Sequence, residues 1–169
     1  HIKQGTESIA IGLQSGYLHQ GDLCIAIGYR AAKYNQGENS IAFGKESGET
    51  DQGENCISIG HNAASNSQGE ASIAIGGAAG ETDQGENCIS IGTMAGNNNQ
   101  GEHSIAFGSH AGETDQHSNS IILNASGSTL NSVGGSRTYI KPIRGVAHNI
   151  GLGILKYDSA TCEITYSTN

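Results

Sequence analysis

Branched apolar residues alternate with small residues in short runs that return every sixteen positions. Each run reads small, Ile, small, then Ile, Phe or Leu, and all but the last close on Gly; the runs begin at Ser8, Cys24, Ser40, Cys56, Ser72, Cys88, Ser104 and Ser120. The two-residue period places the branched residues on one face of a strand and the small residues on the other. A repeat this regular, without insertions, predicts a solenoid in which each unit stacks on the one before it.

The repeat length indicates which solenoid this is. Sixteen residues at roughly 3.3 Å each give a perimeter of about 50 Å, which suits two short strands and two turns. Three-sided helices built on hexapeptides would need a multiple of six. We therefore predict an all-β fold, a flattened parallel β-roll with 16-residue coils over residues 1–124, followed by a small C-terminal β tip over residues 125–169.

Stacking turns every position of the repeat into a ladder with steps of about 4.8 Å. The two branched columns, headed by Ile9 and Ile11, are predicted to fill the interior. The small face of Ser, Cys, Ala and Gly is predicted to pack against other copies of the chain, which gives a homotrimer. The alternative is a monomer whose small face packs across its own second strand.

A column of glutamines is predicted to form a third ladder, with amides bonded up and down the stack. Its members are Gln4, Gln20, Gln36, Gln52, Gln68, Gln84, Gln100 and Gln116. A glycine follows each of the first seven, and we predict that these glycines lie in turns that need a positive φ.

The last part of the chain leaves the repeat. Ile122 and Asn124 replace the usual small residue and Gly of the eighth unit, as expected of a capping coil. Residues 138–145 are predicted to form an edge strand closed by Pro142. Residues 154–157 and 163–166 are predicted to form a β-hairpin around the loop 158–162.

Composition and charge narrow the possible functions. The chain has 26 Gly, one Pro, no Trp and 35% hydrophobic residues, which is little for a globular core but suits a stacked roll. Its net charge is −8 and its eight Lys and Arg are scattered, so we expect no nucleic-acid partner. It lacks a long apolar run, and we expect no membrane insertion by this sequence.

The repeated polar residues do not form the sets expected of a cofactor, a metal or catalysis. Each coil contributes only one carboxylate to the ladder that we call the acidic column, so we expect splayed side chains and no bound metal; its members are Asp22, Glu38, Glu54, Glu70, Glu86 and Glu102. Cys24, Cys56 and Cys88 lie two coils apart, about 9.6 Å, which is too far for disulfides. The seven His share no column with catalytic partners, and we expect no enzymatic activity and no cofactor.

Two resemblances extend this interpretation. The unit Ser-Ile-Ala-Ile-Gly-x-x-Ala-Gly, as at residues 72–80, resembles the head repeat of trimeric autotransporter adhesins, which implies a left-handed parallel β-roll joined three to a spike. The adhesin repeat is shorter, so the two extra residues here imply a longer turn. The segment 137–145, Arg-Thr-Tyr-Ile-Lys-Pro-Ile-Arg-Gly, with 155–158 and 163–167, is similar to the tip of phage and large DNA virus fibres and spikes. That similarity implies that a self-cleaving intramolecular chaperone follows.

These observations favour a structural and attachment element of a virion fibre or spike, located at the virion surface, whose partner is a host-surface glycan or protein. The alternative is the head of a bacterial trimeric adhesin at the cell surface, binding matrix or glycans. The downstream gene sequence distinguishes them, since it encodes either a chaperone or a coiled-coil stalk with a membrane barrel. Candidate receptor-binding residues, chosen as aromatic and hydrogen-bonding groups in turns, are Tyr17, His19, Tyr29, Arg30, Tyr34, His148, Asn149 and Asp158.

Overall fold

The structure, a computed structural model, describes residues 4–143 and the two strands Ile154–Asp158 and Glu163–Ser167. In these parts of the chain every helix or strand element is a β-strand. The first strand of each coil belongs to one parallel sheet, the first sheet: β1 (Ile9–Ile11), β3 (Ile25–Ile27), β5 (Ile41–Phe43), β7 (Ile57–Ile59), β9 (Ile73–Ile75), β11 (Ile89–Ile91), β13 (Ile105–Phe107) and β15 (Ile121–Asn124).

The second strand of each coil belongs to another parallel sheet, the second sheet. Its members are β2 (Leu18–Gln20), β4 (Tyr34–Gln36), β6 (Thr50–Gln52), β8 (Asn66–Gln68), β10 (Thr82–Gln84), β12 (Asn98–Gln100) and β14 (Thr114–Gln116). Each strand pairs with the equivalent strand sixteen residues later, as in Ile9 with Ile25 and Leu18 with Tyr34. The predicted two-sided parallel β-solenoid, about eight coils of sixteen residues, is confirmed.

The interior of the roll is lined by the small residues. Ala26, Ala42 and Ala74 are fully buried, and so is Cys24, whereas Ile11 is 58% exposed. The prediction that the branched columns fill the interior is therefore wrong, and so is the assignment of the small face to the contact between copies. The two sheets lie too close together for Ile or Phe side chains to fit between them, because three-residue strands joined by short turns enclose a narrow cross-section.

The glutamine ladder is confirmed in two runs, from Gln20 to Gln68 and from Gln84 to Gln116, and forms the polar part of the core. Among the described residues, Gln20 Oε1 and Gln84 Oε1 accept no hydrogen bond, so the predicted links from Gln4 and Gln68 are missing. Gln20 Nε2 donates to Gln36 Oε1 at 3.1 Å, and the same bond recurs from Gln36 to Gln52. Further bonds join Gln52 to Gln68, Gln84 to Gln100, and Gln100 to Gln116. Each of these amides also donates to a carbonyl of the first sheet, for example Gln20 to Ile9. The ladder thus ties neighbouring coils and opposite sheets together.

The glycines that follow these glutamines do not have a positive φ, so that prediction is wrong. Glycine is required at these positions because the backbone of the next coil lies too close for a side chain. A Cβ on Gly53 would lie 2.9 Å from the Gln68 carbonyl oxygen and from the Glu70 nitrogen of that coil. Positive φ occurs at the glycine that ends each first strand, such as Gly76 at φ 130°. It also occurs at non-glycine residues such as Asn35, in the middle of β4, and Asn39, in the following turn, where Asn tolerates the left-handed conformation.

The C-terminal end of the roll is closed by the residues after the eighth coil. Strand β16 (Thr138–Lys141) pairs in parallel with β15 and becomes the ninth strand of the first sheet, and it ends before Pro142 as predicted. Ile122 is fully buried against Leu130 and Tyr139. We call residues 125–137 the capping segment, because they cover the edge of β14 through bonds such as His117 N to Ser132 Oγ at 2.8 Å.

The predicted C-terminal hairpin is also present. Strands β17 (Ile154–Asp158) and β18 (Glu163–Ser167) pair antiparallel, with Asp158 opposite Glu163.

Adjacent glycines in the fifth coil should respond oppositely to alanine. At Gly76 the φ of 130° is unfavourable for an L-residue, and a Cβ would lie 2.7 Å from the Gly92 carbonyl, whereas a Cβ on Gly77 meets nothing within 4 Å. We expect Gly76→Ala to lower the free energy of unfolding by about 2–3 kcal/mol. Gly77→Ala should leave it unchanged or raise it by about 0.5 kcal/mol. Urea denaturation measures both, and equal effects would contradict the assigned coil geometry.

Candidate interaction surfaces

The branched residues of the first sheet form a continuous apolar surface, which we call the isoleucine strip. None of its members is buried, and Phe43 and Phe107 are about half exposed. It runs along all eight coils, roughly 40 Å, and contains Ile9, Ile11, Ile25, Ile27, Ile41, Phe43, Ile57, Ile59, Ile73, Ile75, Ile89, Ile91, Ile105, Phe107, Ile121 and Leu123. Continuous apolar surfaces of this extent are typical of sites that contact another macromolecule.

The strip continues onto the ninth strand. A shallow cavity of about 590 Å³ lies at its C-terminal end, lined by Phe107, Leu123, Ala125, Ile140 and Pro142 among others. Ile140 of β16 is 46% exposed there. The residues that close the roll therefore extend the apolar surface instead of ending it.

The candidate receptor-binding residues of the first two coils lie on two neighbouring surfaces. Tyr17 is half-buried just before β2, and Tyr34 is half-buried in β4. His19 is exposed in β2, with its Nδ1 3.1 Å from Asn35 Oδ1. Both strands belong to the second sheet, which faces away from the strip.

Tyr29 and Arg30 lie in the turn between β3 and β4, at a corner of the roll. The Arg30 guanidinium carbon is 5.5 Å from the centre of the Tyr29 ring. Its Nη1 lies 3.6 Å from Glu46 Oε1 and 3.5 Å from Glu49 Oε1. The structure thus brings Tyr29 and Arg30 together and adds two carboxylates from the next coil.

Lys33 and Lys45 belong to the same corner and were missed in the sequence analysis. Lys33 is buried, with its Nζ 3.8 Å from Glu49 and 4.5 Å from the centre of the Tyr34 ring. Lys45 Nζ is 3.5 Å from Glu46 Oε2. The sequence did carry a signal for this cluster: Arg30, Lys33 and Lys45 are the only Lys or Arg between residues 4 and 124.

Three candidates belong to the C-terminal part of the chain. His148 and Asn149 lie outside the described residues. Asp158 is the last residue of β17 and pairs with Glu163 across the hairpin.

The outer face of the second sheet carries a polar column in which Asp alternates with Asn or Ser from Asn35 to Asp115. Asn35 Nδ2 donates to Asp51 Oδ1 at 2.7 Å, and Asn99 Nδ2 donates to Asp115 Oδ1 at 2.8 Å. The acidic column headed by Asp22 is exposed. Shallow grooves run beside it and are lined by the glycines that follow the ladder glutamines. Among the described residues, no group of three or more His, Cys, Asp or Glu is arranged to hold a metal ion.

The capping segment is attached to the last coil partly through Glu113. Its Oε2 accepts from Thr129 Oγ1 at 2.6 Å and lies 3.0 Å from His110 Nδ1. These two contacts, with Thr129 the stronger, lower the pKa of Glu113. His110, through Glu113, and His117, through Ser132, thus contribute to the closure of the roll.

The interior cysteines behave as small buried residues. Cys56 Sγ donates to the Gly69 carbonyl at 3.0 Å, and Cys24 and Cys88 make equivalent bonds to Gly37 and Gly101. Burial raises the pKa of all three thiols. All three are free thiols in the structure.

No protein-family model, no curated protein and no solved structure matches this chain. In the part of the chain that the structure describes, no helix is long and apolar enough to cross a membrane. The features of the molecule that bear on its function are the isoleucine strip, the corner near Arg30 and the polar outer face of the second sheet.

The buried thiols should be unreactive in the native protein. In a Cys162→Ser variant, which removes the cysteine outside the described residues, a chromogenic disulfide reagent at pH 8 should detect almost no thiol until urea is added, and then three. The raised pKa and the burial both suppress the thiolate. Because the unfolded thiols ionise first, stability should fall as pH rises above their ordinary pKa. Rapid native labelling would contradict this arrangement.

The acidic column should respond to ionic strength and show no preference for divalent ions. If the exposed carboxylates merely repel one another, sodium chloride should raise the melting temperature modestly through screening. Millimolar Ca²⁺ or Mg²⁺ should then add nothing beyond a sodium control of matched ionic strength. A larger stabilisation, reversed by a chelator, would show that the column binds cations.

Proposed function

We propose that this chain is a structural and attachment element of a virion fibre or spike, in which three copies join through their isoleucine strips. The observation that carries the proposal is the strip itself: sixteen branched or aromatic side chains, none buried, along one face of the roll. Leaving such a surface in water is unfavourable, since its burial is worth about 25 cal/mol per Å².

A second copy of the chain is the partner that fits this surface best. The strip repeats at the rung spacing of the roll, about 4.8 Å, and only a surface with the same period can match it along its whole length. It has no charged member, and it is two residues wide, about 7 Å. Because the strip is narrow, the strips of three chains can meet around a common axis. The polar second sheets then face the solvent.

The internal bonding suits a rigid shaft. Coils are joined by backbone bonds at similar distances, such as Ile25 N to Ser40 O at 3.0 Å and Leu18 N to Lys33 O at 2.9 Å. The glutamine ladder adds side-chain bonds inside the same stack. The capping segment covers the C-terminal edge of the second sheet, which protects that edge from pairing with further strands.

Attachment is supported by the outward-facing groups of the first coils. Tyr29 is exposed, His19 is exposed, and Arg30 stands beside the Tyr29 ring. Side chains of this kind contact sugars and proteins through both apolar and hydrogen-bonding surfaces. The proposed partner is a host-surface glycan or protein, and the proposed location, the virion surface, depends on the resemblance of the C-terminal segment to viral fibre tips.

Light scattering coupled to size exclusion tests the assembly. The wild-type protein should have about three times the mass of one 17.4 kDa chain. Ile59→Glu places a charge on the strip and should reduce the mass to that of one chain, because an unpaired buried charge is costly. Asn66→Glu, an exposed position in the second sheet, is the matched control and should leave the mass unchanged.

A wild-type monomer at micromolar concentration would overturn the proposed assembly, and a dimer would overturn the trimer. Equal effects of Ile59→Glu and Asn66→Glu would reject the strip as the contact. Ala74→Arg is unsuitable for this purpose, since Ala74 is fully buried and the variant would disrupt the coil itself.

A further inference from the structure

We infer that the corner around Tyr29 and Arg30 binds a carboxylated sugar, with the carboxylate on the Arg30 guanidinium and the sugar ring against Tyr29. This inference rests on the proposed attachment function and names the class of ligand. It depends on three features of the corner: the positions of the Lys and Arg residues of the roll, the balance of positive and negative charge at the corner, and the N–H groups of Arg30 that make no hydrogen bond.

Within the coils of the roll, residues 4–124, positive charge is concentrated at this one corner. The chain carries a net charge of −8, yet the three Lys or Arg between residues 4 and 124 all lie at this corner. The acidic column and the aspartates of the second sheet repel anions elsewhere on the roll. An anionic ligand is therefore directed to Arg30, Lys33 and Lys45.

The corner carries three cations and two carboxylates, which leaves one net positive charge. Glu49 lies 3.5 Å from Arg30 Nη1 and 3.8 Å from Lys33 Nζ, and Glu46 lies 3.6 Å from Arg30 Nη1 and 3.5 Å from Lys45 Nζ. The two lysines thus share these carboxylates with Arg30 and reduce the negative charge that a ligand carboxylate would meet beside the guanidinium. Lys33, buried against the Tyr34 ring, is a positioning residue in this respect.

The guanidinium is held in place but its donors are not used up. Arg30 Nε donates to Gln14 Oε1 at 3.3 Å, which fixes the plane of the group. Its Nη1 is 3.5 Å or more from Glu46 and Glu49, which are ion-pair distances with no hydrogen bond. The side chain is about one-third exposed. A carboxylate can accept two parallel N–H bonds from such a planar group.

Tyr29 supplies the apolar part of the site. Its side chain is 42% exposed and its ring centre lies 5.5 Å from the Arg30 guanidinium carbon. An aromatic ring beside a bidentate donor suits a ligand that has one apolar face and one carboxylate. Acidic sugars have both features. Two sources share this chemistry: a terminal sialic acid on an animal cell, and a uronic acid within a polysaccharide.

Titration calorimetry on the full chain tests the inference, with sialyllactose, a glucuronic-acid disaccharide and lactose as ligands. One or both acidic sugars should bind with a Kd in the millimolar range or below, and lactose should not bind. Arg30→Gln should weaken binding at least tenfold, and Tyr29→Ala should also weaken it. Arg30→Lys keeps the charge but loses the planar pair of donors, so it should restore binding only in part. Arg137→Gln removes an exposed cation from the capping segment and should change nothing.

The melting temperature of each variant separates binding from folding. If Arg30→Gln lowers the melting temperature, ligand binding by Tyr29→Ala provides the second measurement, because that substitution removes no ion pair. Whichever acidic sugar binds identifies the source. Equal binding by wild type and Arg30→Gln, equal binding of lactose, or binding of neither acidic sugar would overturn the inference. The mass of the wild-type protein tests the assembly independently, so a failed site and a failed fibre proposal give different results.

Discussion

The close approach of the two sheets is the constraint on which the rest of this structure depends. Three-residue strands joined by short turns leave a slender interior that accepts Ala, Ser, Cys and the flat amide of Gln; the one branched residue in this column, Ile122, lies in the last strand of the repeat, under Leu130 and Tyr139. The glycines at Gly53 and its equivalents follow from the same closeness, because the next coil lies where a Cβ would be. The large apolar residues are consequently placed outside.

A polar interior of this kind is stable only if most of its groups are hydrogen-bonded; among the described glutamines of the ladder, the exceptions are the buried oxygens Gln20 Oε1 and Gln84 Oε1. The buried glutamine amides bond to one another and to strand carbonyls, and Ser58 and Ser90 donate to the oxygens of Gln68 and Gln100. Such networks are worth most in a low-dielectric interior and are costly when a partner is missing. The strict sixteen-residue period keeps the bonding groups of successive coils in register, since an insertion would shift one coil against the next.

The sequence was sufficient to predict the period, the position of the first strand of each coil, the presence of a second strand, most of the glutamine ladder and the C-terminal hairpin, because these depend mainly on spacing. It was not sufficient to decide which face of Ile73-Ala74-Ile75 points inward, since alternation separates two faces without saying which is buried. The general expectation that branched residues are buried gave the wrong answer. The distance between the two sheets determines which face is buried. That distance depends on the geometry of the turns, which cannot be derived from the sequence of one repeat.

The corner near Arg30 shows a second limit. Tyr29 and Arg30 were identified from residue type, but Lys33 and Glu49 were not, because their pairing joins two different coils. Aligning the sequence on its sixteen-residue period places Lys33 directly before Glu49 in one column. With that alignment the cluster is visible, whereas the burial of Lys33 and the unused Nη donors of Arg30 require the side-chain geometry.

The exposed strip also has an energetic consequence for folding. A core of Ala, Ser, Cys and Gln buries little apolar side chain, so a single roll gains less from the hydrophobic effect than a globular domain of its size. Covering the rest of a half-exposed Ile or Phe is worth about 1 kcal/mol each. In the proposed assembly, much of the apolar burial that stabilises the fold would therefore arise between chains. Stability would then depend on protomer concentration, and folding and association would be linked steps.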